Sequence, residues 1–544
     1  KQYWYMYGAN TVDRHDPNFI NERENFFHKP LVNLNHFMTI NDQMRLSSVF
    51  YWSGGSGGGS GTYRNNDGFI WDYSGPSRIF DLDATIAMNQ SDETRKGEAK
   101  GLGESDAILR NSINRQNTYG LISKLNYDMS DELTLEVGLD WRTAEIEHAR
   151  EVRDLLGGDY FVEDADDNRP DGYRAGLGDI IAYHNTNTVD WMGFFAQGNY
   201  TKDALSAYGT FGWSSITYTH TNFFLVGSPK FEADPISAMQ IKAGVMYDLG
   251  GAMSMLSAIP VVGKVGENSD LWLNFGLIDK APIFDQVIQD WDGKMSTDPK
   301  NEKFNAFELG LNTRSNDGTM AAKINFYSTT WSDRIATKYI VNPETEDDEI
   351  VYLTGINQTH TGIESEFAAQ IHPMVRLDIN MGLGNWGYTD DATGSYRDDE
   401  TDVEYTYGLK DLKVGDMPQA TMALGFTVTP VEGATIQALY RYYALHYADW
   451  SPSSREGGDD RIQVWKAPAY GVLDVHATYD IPIEFGSAKP SVFLHMFNAL
   501  DEVYIQDAVD NSSYNAWSDT HRASDAEVFF GLPASFNLGL RVSF

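Results

Sequence analysis

The acidic segment that begins at Asp164 has the residue types and the spacing that come nearest to a metal-binding site. Asp164, Asp166 and Asn168 place side-chain oxygen atoms at positions i, i+2 and i+4, as at the start of an EF-hand calcium loop. Arg169 stands where that loop requires glycine, and Ala175 stands where it requires glutamate. We therefore treat Asp164, Asp166 and Asn168 as candidate Ca²⁺ ligands. A solvated acidic loop without a metal ion is the alternative.

Other patterns that suggest chemistry have simpler interpretations. The run Ser53–Gly61 lacks the Gly-Lys-Ser/Thr ending of a phosphate-binding loop, so a flexible loop or a close backbone approach explains its glycines better. His476 and His495 fall on neighbouring predicted strands, but the histidines show no zinc-site spacing, and a structural or wall-lining role is the default. We predict that the protein is not an enzyme and has no cofactor besides the candidate Ca²⁺.

Composition excludes several classes of protein. The chain has 544 residues and a formal net charge of −37, with 41 Lys and Arg against 78 Asp and Glu, so we expect no nucleic-acid partner. It contains no cysteine, which excludes disulfides and thiol chemistry. No apolar run reaches the roughly 18 residues of a transmembrane helix. A β-barrel still fits this composition, because only alternate residues of its strands face lipid.

The main structural signal is an alternation of apolar and polar residues along short segments. The apolar residues of the segment 133–142 are Leu133, Leu135, Val137, Leu139 and Trp141. The segments 239–249, 320–326 and 375–383 alternate in the same way. Successive side chains of a β-strand point to opposite faces, so each segment predicts a strand with one apolar and one polar face. About 17 to 19 such strands are expected from Leu31 onward.

The links between these predicted strands alternate between short and long. The short links lie near residues 128–132, 201–203, 315–318, 371–373 and 430–433. The long links run over roughly 53–114, 143–188, 281–302, 388–417, 447–467 and 498–533. Short turns at one end and long loops at the other are typical of outer-membrane barrels, whereas a soluble β-sandwich does not require that rhythm. We predict an all-β fold that is a large antiparallel transmembrane β-barrel.

The last ten residues have the pattern of a closing barrel strand. Their apolar positions are Phe536, Leu538, Leu540, Val542 and Phe544, and their other positions are polar or small. This segment resembles the final strand of outer-membrane barrels, whose terminal phenylalanine is read by the barrel-assembly machinery. The resemblance implies that these five residues form the assembly signal and face lipid.

Several longer motifs resemble the TonB-dependent receptor family. The motifs are the segments 275–284, 301–310, 357–367, 496–504 and 530–540. Ala499 departs from the usual pattern of the penultimate strand. The segments 33–37 and 53–63 look most like Bacteroidetes-type members. The motifs follow the order expected for the family along essentially the whole chain, so we take residues 1–544 as one barrel domain.

The resemblance also carries expectations about the rest of the barrel. Members of the family have about 22 strands around an N-terminal plug, and nothing in this sequence resembles that plug. Lys1–Pro30 looks like an early strand and loop. We therefore expect the natural protein to be longer, with some N-terminal strands missing from this chain. The last strand should pair with a first strand at or before Lys1, and without it the barrel would have an open seam.

The function implied by the resemblance is active transport across the cell outer membrane by a multi-pass protein. The expected partners are the TonB–ExbB–ExbD system through the missing plug, outer-membrane lipid, the barrel-assembly machinery and a surface lipoprotein. Acidic and aromatic loops suit a sugar, peptide or cationic nutrient better than an anionic siderophore. Two alternatives remain open: a plugless passive pore or scaffold barrel in a surface complex, and a soluble secreted β-protein.

Overall fold

The computed structural model consists almost entirely of antiparallel β-structure. It describes residues 22–64, 69–72, 79–94, 96–250, 268–288, 293, 295–296, 299–341, 348–398, 401–451, 455, 460–483, 486–511 and 520–543. Among these residues, no helix has the length and apolar character needed to cross a membrane. Within the same ranges, the helical structure consists of the helix α1 (Leu82–Asn89) and a 3₁₀ turn (Phe284–Gln286).

The strands follow one another along the described part of the chain. In order they are β1 (Asn25–His28), β2 (Leu31–Asn41), β3 (Met44–Arg64), β4 (Trp71–Asp72), β5 (Ile79–Phe80), β6 (Ala107–Asp128), β7 (Leu133–Asp154), β8 (Phe161–Glu163), β9 (Tyr173–Ala175), β10 (Ile180–Lys202), β11 (Leu205–Asn222), β12 (Lys230–Glu232), β13 (Ile236–Gly250), β14 (Asn268–Lys280), β15 (Glu302–Arg314), β16 (Met320–Val341), β17 (Asp348–His372), β18 (Val375–Tyr388), β19 (Ala392–Asp398), β20 (Thr401–Tyr407), β21 (Pro418–Val428), β22 (Ala434–His446), β23 (Asp449–Trp450), β24 (Tyr470–Asp480), β25 (Lys489–Phe497), β26 (Ile505–Asp510), β27 (Glu527–Phe530) and β28 (Ser535–Ser543).

Seventeen of the described strands form one continuous antiparallel wall, within the range expected from the sequence. Their order in the wall is β2, β3, β6, β7, β10, β11, β13, β14, β15, β16, β17, β18, β21, β22, β24, β25 and β28. Each strand pairs with the next along the chain, so the prediction of an all-β, large antiparallel sheet is confirmed. The shorter strands β1, β12, β19 and β20 extend this sheet at the end that carries the long loops.

The predicted alternation of faces is also present. One row of direct cross-strand partners runs through Val245, Leu273, Leu309, Phe326, Ile363 and Leu383. All six side chains are exposed, from 37% for Leu273 to 60% for Leu383. We call the side of the wall that carries this row the apolar face. The next row, on the opposite side, contains Asn274, Glu308 and Tyr327, and we call that side the polar face.

The glycine-rich run Ser53–Gly61 is not a flexible loop, and the boundary expected near residue 53 was wrong. These residues belong to β3, which is paired with β1 on one side and with β6 on the other. A Cβ atom on Gly58 would lie 2.2 Å from the carbonyl oxygen of Ser112, and one on Gly57 would lie 2.6 Å from that of Phe26. Close approach of three backbones therefore explains the glycines.

The strands β2 and β28 are the two edges of the wall. Among the described residues, β2 pairs with β3 and β28 pairs with β25, and neither has a partner strand on its other side. Both strands run from the end with the long loops toward the end with the short links. Direct pairing of the two edges would be parallel, whereas all other pairs in this wall are antiparallel. The partner predicted for β28 at or before Lys1 remains a prediction, since residues 1–21 lie outside the described part.

Small apolar clusters hold the long loops against the strand ends. One cluster joins α1 to the ends of β6 and β7 and contains Phe69, Phe80, Leu82, Ala107, Leu109 and Leu156. Inside it, the Nδ2 atom of buried Asn89 donates to the carbonyl oxygen atoms of Ala107, Leu155 and Leu156 at 2.7–3.2 Å. The loop layer is therefore packed and hydrogen-bonded in these places.

Candidate functional site

On the polar face, large rings lie over glycines of the neighbouring strand. The directly paired residues are Tyr51 and Gly120, Phe195 and Gly138, Tyr208 and Gly244, Trp272 and Gly310, Tyr327 and Gly362, and Phe493 and Gly539. A Cβ atom on Gly138 would lie 2.3 Å from Cε1 of Phe195. Any side chain at these positions would lift the ring away from the wall. The glycines therefore let aromatic rings cover the polar face.

A trough of about 560 Å³ lies on the polar face across β10, β11, β13, β14 and β15. Its floor is made of the small residues Gly193, Gly212, Ser214 and Ala238. Its sides are formed by Trp191, Phe195, Ile216, Ile278 and Phe304. Because small residues on three adjacent strands stand between large ones, the trough is built into the wall, and of its lining residues only Ala281 lies outside a strand.

Two ion pairs flank the trough, and Asp279 adds a further carboxylate to its lining. Nη2 of Arg142 donates to Asp140 at 2.6 Å, and the guanidinium lies 4.7 Å from the centre of the Trp191 ring. On the opposite side, Nζ of Lys280 donates to both carboxylate oxygen atoms of Glu302 at 3.2 Å. The trough therefore offers an apolar and aromatic surface between these charged groups, which suits an uncharged or apolar group of a ligand.

A buried polar cluster ties two long loops together at the end of the wall. The His521 ring lies between two carboxylates, with Nδ1 2.8 Å from Asp510 and Nε2 2.5 Å from Asp460. Nη2 of Arg455 donates to the carbonyl oxygen of Ile462 at 2.8 Å. Burial alone would raise the pKa of Asp460, but the hydrogen bonds from His521 and the Ile462 amide, with the charge of Arg455, bring that pKa below its ordinary value.

A second ion pair joins the loop after β18 to the loop after β22. Nη1 and Nη2 of Arg461 donate to the two carboxylate oxygen atoms of Asp391 at 2.5 and 2.8 Å. The hydrogen bonds from Arg461 hold the pKa of Asp391 below its ordinary value of 3.8. Such two-pronged contact with a carboxylate fixes the relative orientation of the two loops.

The candidate calcium ligands lie in the loop between β8 and β9, and each has a protein partner. Oδ1 of Asp164 accepts a hydrogen bond from the Gly172 amide at 2.5 Å, and Oδ2 of Asp166 lies 3.0 Å from Nε of Arg169. Nδ2 of Asn168 donates to the carbonyl oxygen atoms of residues 223, 224 and 225 at 3.0–3.3 Å. Within the described part of the chain, no three His, Cys, Asp or Glu residues form a metal-binding group. Calcium binding stays a prediction.

The four described residues of the candidate assembly signal share the apolar face of β28. Phe536, Leu538, Leu540 and Val542 are 71%, 69%, 67% and 41% exposed. Their cross-strand partners on β25 are Met496, Leu494, Val492 and Pro490. Phe544 lies outside the described residues. The geometry places these four side chains on the apolar face, and both their contact with lipid and their role in assembly remain predictions.

The fold and the two-faced wall define the class of protein. A family model described as "TonB dependent receptor-like, beta-barrel" matches residues 4–499, and the chain belongs to this family. Proteins of the family are receptors of the outer membrane and are not enzymes. No match was found among curated proteins.

Solved structures of TonB-dependent receptors share the fold at low sequence identity. The copper transporter OprC is 11% identical with a TM-score of 0.61, over 96% of this chain and 66% of that protein. The unliganded ferric citrate transporter FecA is 12% identical with a TM-score of 0.59, over 96% and 62%. The siderophore receptor PiuA from Acinetobacter baumannii is 11% identical with a TM-score of 0.57, over 95% and 64%. This chain spans less than two thirds of the length of each.

Proposed function

We propose that the chain forms most of the barrel wall of an outer-membrane transporter that takes up a scarce solute with energy supplied by the TonB–ExbB–ExbD system. The observation that carries this proposal is the family membership over residues 4–499. We assign the TonB contact to a plug domain that the wall surrounds. The apolar face then lies against lipid and the polar face lines the lumen.

The two faces support this orientation. A continuous row of exposed apolar side chains across six strands, from Val245 to Leu383, would be unfavourable in water and favourable in lipid. The polar face has paired charges and hydrogen-bonding side chains that suit a wet lumen. The strands β16 and β17, with 22 and 25 residues, exceed the ~9–11 residues that span a bilayer. Their ends would therefore extend beyond the membrane and carry the loop layer.

The lining of the trough favours an organic molecule as the transported cargo. Its rings and its flanking ion pairs suit a sugar or peptide with an apolar surface, and TonB-dependent uptake suits a solute too scarce or too large for passive entry. The named neighbours in the comparisons carry ferric citrate, copper or siderophores, so metal-containing cargo is the alternative substrate class. Solutes of both classes belong in the uptake panel.

The test of the proposed function is uptake by cells that lack the gene. Loss of accumulation of at least one solute, restored by the wild-type gene but not in a strain without TonB, is the expected result. Unchanged uptake of every solute in the panel would overturn active transport. Uptake that persists without TonB would favour the plugless pore, and a protein that stays in solution without detergent would favour the secreted β-protein.

The trough gives a sharper test within the same assay. Ala238→Leu would fill its floor and should raise the KM for the cargo severalfold while the amount of folded protein stays the same. Ala243→Leu, on the apolar face of the same strand, is the matched control and should leave uptake unchanged. Equal KM values for the two variants would show that the cargo does not bind in the trough.

Three further assignments rest on sequence resemblance and are part of the proposal. We propose Bacteroidetes-type membership, a surface lipoprotein partner and a Ca²⁺ site at Asp164, Asp166 and Asn168 in an extracellular loop. Co-purification of one lipoprotein with the tagged receptor tests the partner. For the metal, added Ca²⁺ should slow hydrogen exchange in residues 164–172 of the wild type and not in the Asp166→Asn variant. The same slowing in both would overturn the site.

A further inference from the structure

The polar face carries two histidines whose imidazole nitrogen atoms converge. His476 on β24 and His495 on β25 are direct cross-strand partners. Their Nδ1 atoms are 2.9 Å apart, and their rings are inclined at 64° with centroids 5.0 Å apart. Each ring therefore presents the same nitrogen toward the other.

The separation of these nitrogen atoms matches the spacing of two adjacent ligands on a transition metal ion. Imidazole nitrogen binds such ions at about 2.0–2.1 Å. Two bonds of that length at a right angle place the nitrogen atoms about 2.9 Å apart, whereas a tetrahedral angle places them about 3.3 Å apart. The observed 2.9 Å between the Nδ1 atoms fits the square-planar or tetragonal geometry that Cu²⁺ and Ni²⁺ adopt.

A residue with an amide side chain stands on each side of the pair, on the adjacent strand. Gln437 on β22 is the cross-strand partner of His476, and Asn537 on β28 is the partner of His495. Direct partners in an antiparallel sheet share a face. One row of the polar face therefore reads Gln437, His476, His495 and Asn537. An amide oxygen from one of these two neighbours, together with water, would complete the nitrogen and oxygen donor set typical of tetragonal sites.

Aromatic side chains surround the imidazoles. The Phe493 ring centre lies 5.2 Å from that of His495, and the Phe497 ring centre lies 5.6 Å from that of His476. Both histidines are half-buried in the wall. Rings packed in this way limit rotation of the imidazoles and lower the entropy that ligand binding would cost.

We propose that His476 and His495 form a binding site for a divalent transition metal ion between β24 and β25, with Cu²⁺ bound most tightly. The preference for Cu²⁺ follows from the general order of affinity of nitrogen and oxygen sites for divalent metals. The site goes beyond the proposed transport function, because binding here requires neither TonB nor the organic cargo. The competing account is an N–H···N hydrogen bond between two neutral imidazoles without a metal.

The test is Cu²⁺ binding by the full-length protein, purified in detergent and treated with a chelator. Titration should show one site, and electron paramagnetic resonance should show hyperfine coupling to two imidazole nitrogen atoms. His476→Gln and His495→Gln should each weaken binding by about tenfold or more. Ni²⁺ should bind more weakly than Cu²⁺ at the same site.

A matched control comes from a single histidine on the same face. His360 lies beside Trp386, and its Nε2 is 3.1 Å from the Gln358 side-chain oxygen. His360→Gln should leave the Cu²⁺ titration and the nitrogen coupling unchanged. Failure of the wild type to bind Cu²⁺, or equal binding by the His476→Gln/His495→Gln double variant, would overturn the site and leave the hydrogen bond as its explanation. Neither result would bear on uptake, which is measured in cells.

Discussion

At the residue scale, the wall is organised by pairs in which a large ring occupies the space that a glycine leaves. Phe195 over Gly138 and Trp272 over Gly310 are examples on the polar face. The two members of each pair lie on adjacent strands and in register. Such pairs fix the register, because a slip of one residue would place the ring and the glycine on opposite faces.

The Gly138→Ala variant tests this packing. Its Cβ atom would lie 2.3 Å from the Phe195 ring, so the ring must move, and we expect a loss of about 1–3 kcal/mol in the free energy of unfolding. Urea unfolding in lipid vesicles measures it. Gly276→Ala is the control on the same face, since its nearest neighbour would be Cβ of Ala306 at 3.8 Å, an ordinary contact. Equal losses in the two variants would contradict the account.

The Asp391–Arg461 pair predicts how the loop layer responds to acid. Because folding lowers the pKa of Asp391, the ionised carboxylate stabilises the loop contact above the ordinary value of 3.8. That stabilisation is lost as the pH falls through the lowered pKa of the folded protein. Hydrogen exchange in residues 460–466 should therefore stay slow at neutral pH, relative to the free peptide, and lose protection below pH 3.8.

The Asp391→Asn variant should show that loss of protection already at neutral pH. Asp390→Asn is the matched control. Asp390 is the neighbouring carboxylate, but it accepts hydrogen bonds from Thr389 and Asn357, which lie outside the measured residues 460–466. If both variants exchange like the wild type at neutral pH, the ion pair does not hold the loops.

At the element scale, the alternation of apolar and polar residues predicts the strands, because the residues of each strand themselves determine which of its faces is apolar. The segments 133–142, 239–249 and 375–383 all lie in strands with the expected faces. The strand ends were not predictable in this way. The run Ser53–Gly61 forms a strand because β1 and β6 approach it, and that information lies in other parts of the chain.

The functional features depend on contacts that sequence spacing does not contain. His476 and His495 were assigned to neighbouring strands, but their contact depends on register, and a shift by one residue would separate them. The ring of His521 meets Asp460 across 61 positions of sequence. The residue types of the small trough residues do not by themselves indicate a binding site in the sequence. A regular spacing of aromatic residues and glycines on successive strands is the signal that would have indicated the covered polar face.

The strand β28 allows a test of the apolar face at the edge of the wall. Leu540→Arg places a charge on that face and should cost up to about 2–4 kcal/mol in lipid. We expect less folded protein in outer membranes, measured as the heat-modifiable band on a gel. Arg541→Gln, on the polar face of the same strand, is the control and should assemble normally. Normal assembly of Leu540→Arg would contradict lipid exposure at this position.

At the scale of the whole molecule, the wall is a sheet whose described edges run in the same direction. An antiparallel barrel that contains both β2 and β28 requires an odd number of additional strands between them, since neighbours must alternate in direction. The family is expected to have about 22 strands, and 17 are described in this wall. The difference is about five, an odd number, and therefore meets the condition. The direction of the edges and the family pattern therefore agree.

The orientation of the wall in the membrane is the central claim, and the absence of cysteine from the sequence makes it directly measurable. Single cysteines placed one at a time along residues 239–247 would be treated, in intact outer membranes, with a water-soluble maleimide. Gly244 is left out, because a side chain there would collide with the Tyr208 ring. Positions 240, 242 and 246 should react and positions 239, 241, 243, 245 and 247 should be protected until detergent is added. Reaction at every position, or protection without a period of two, would contradict a lipid-facing apolar side and a water-lined polar side.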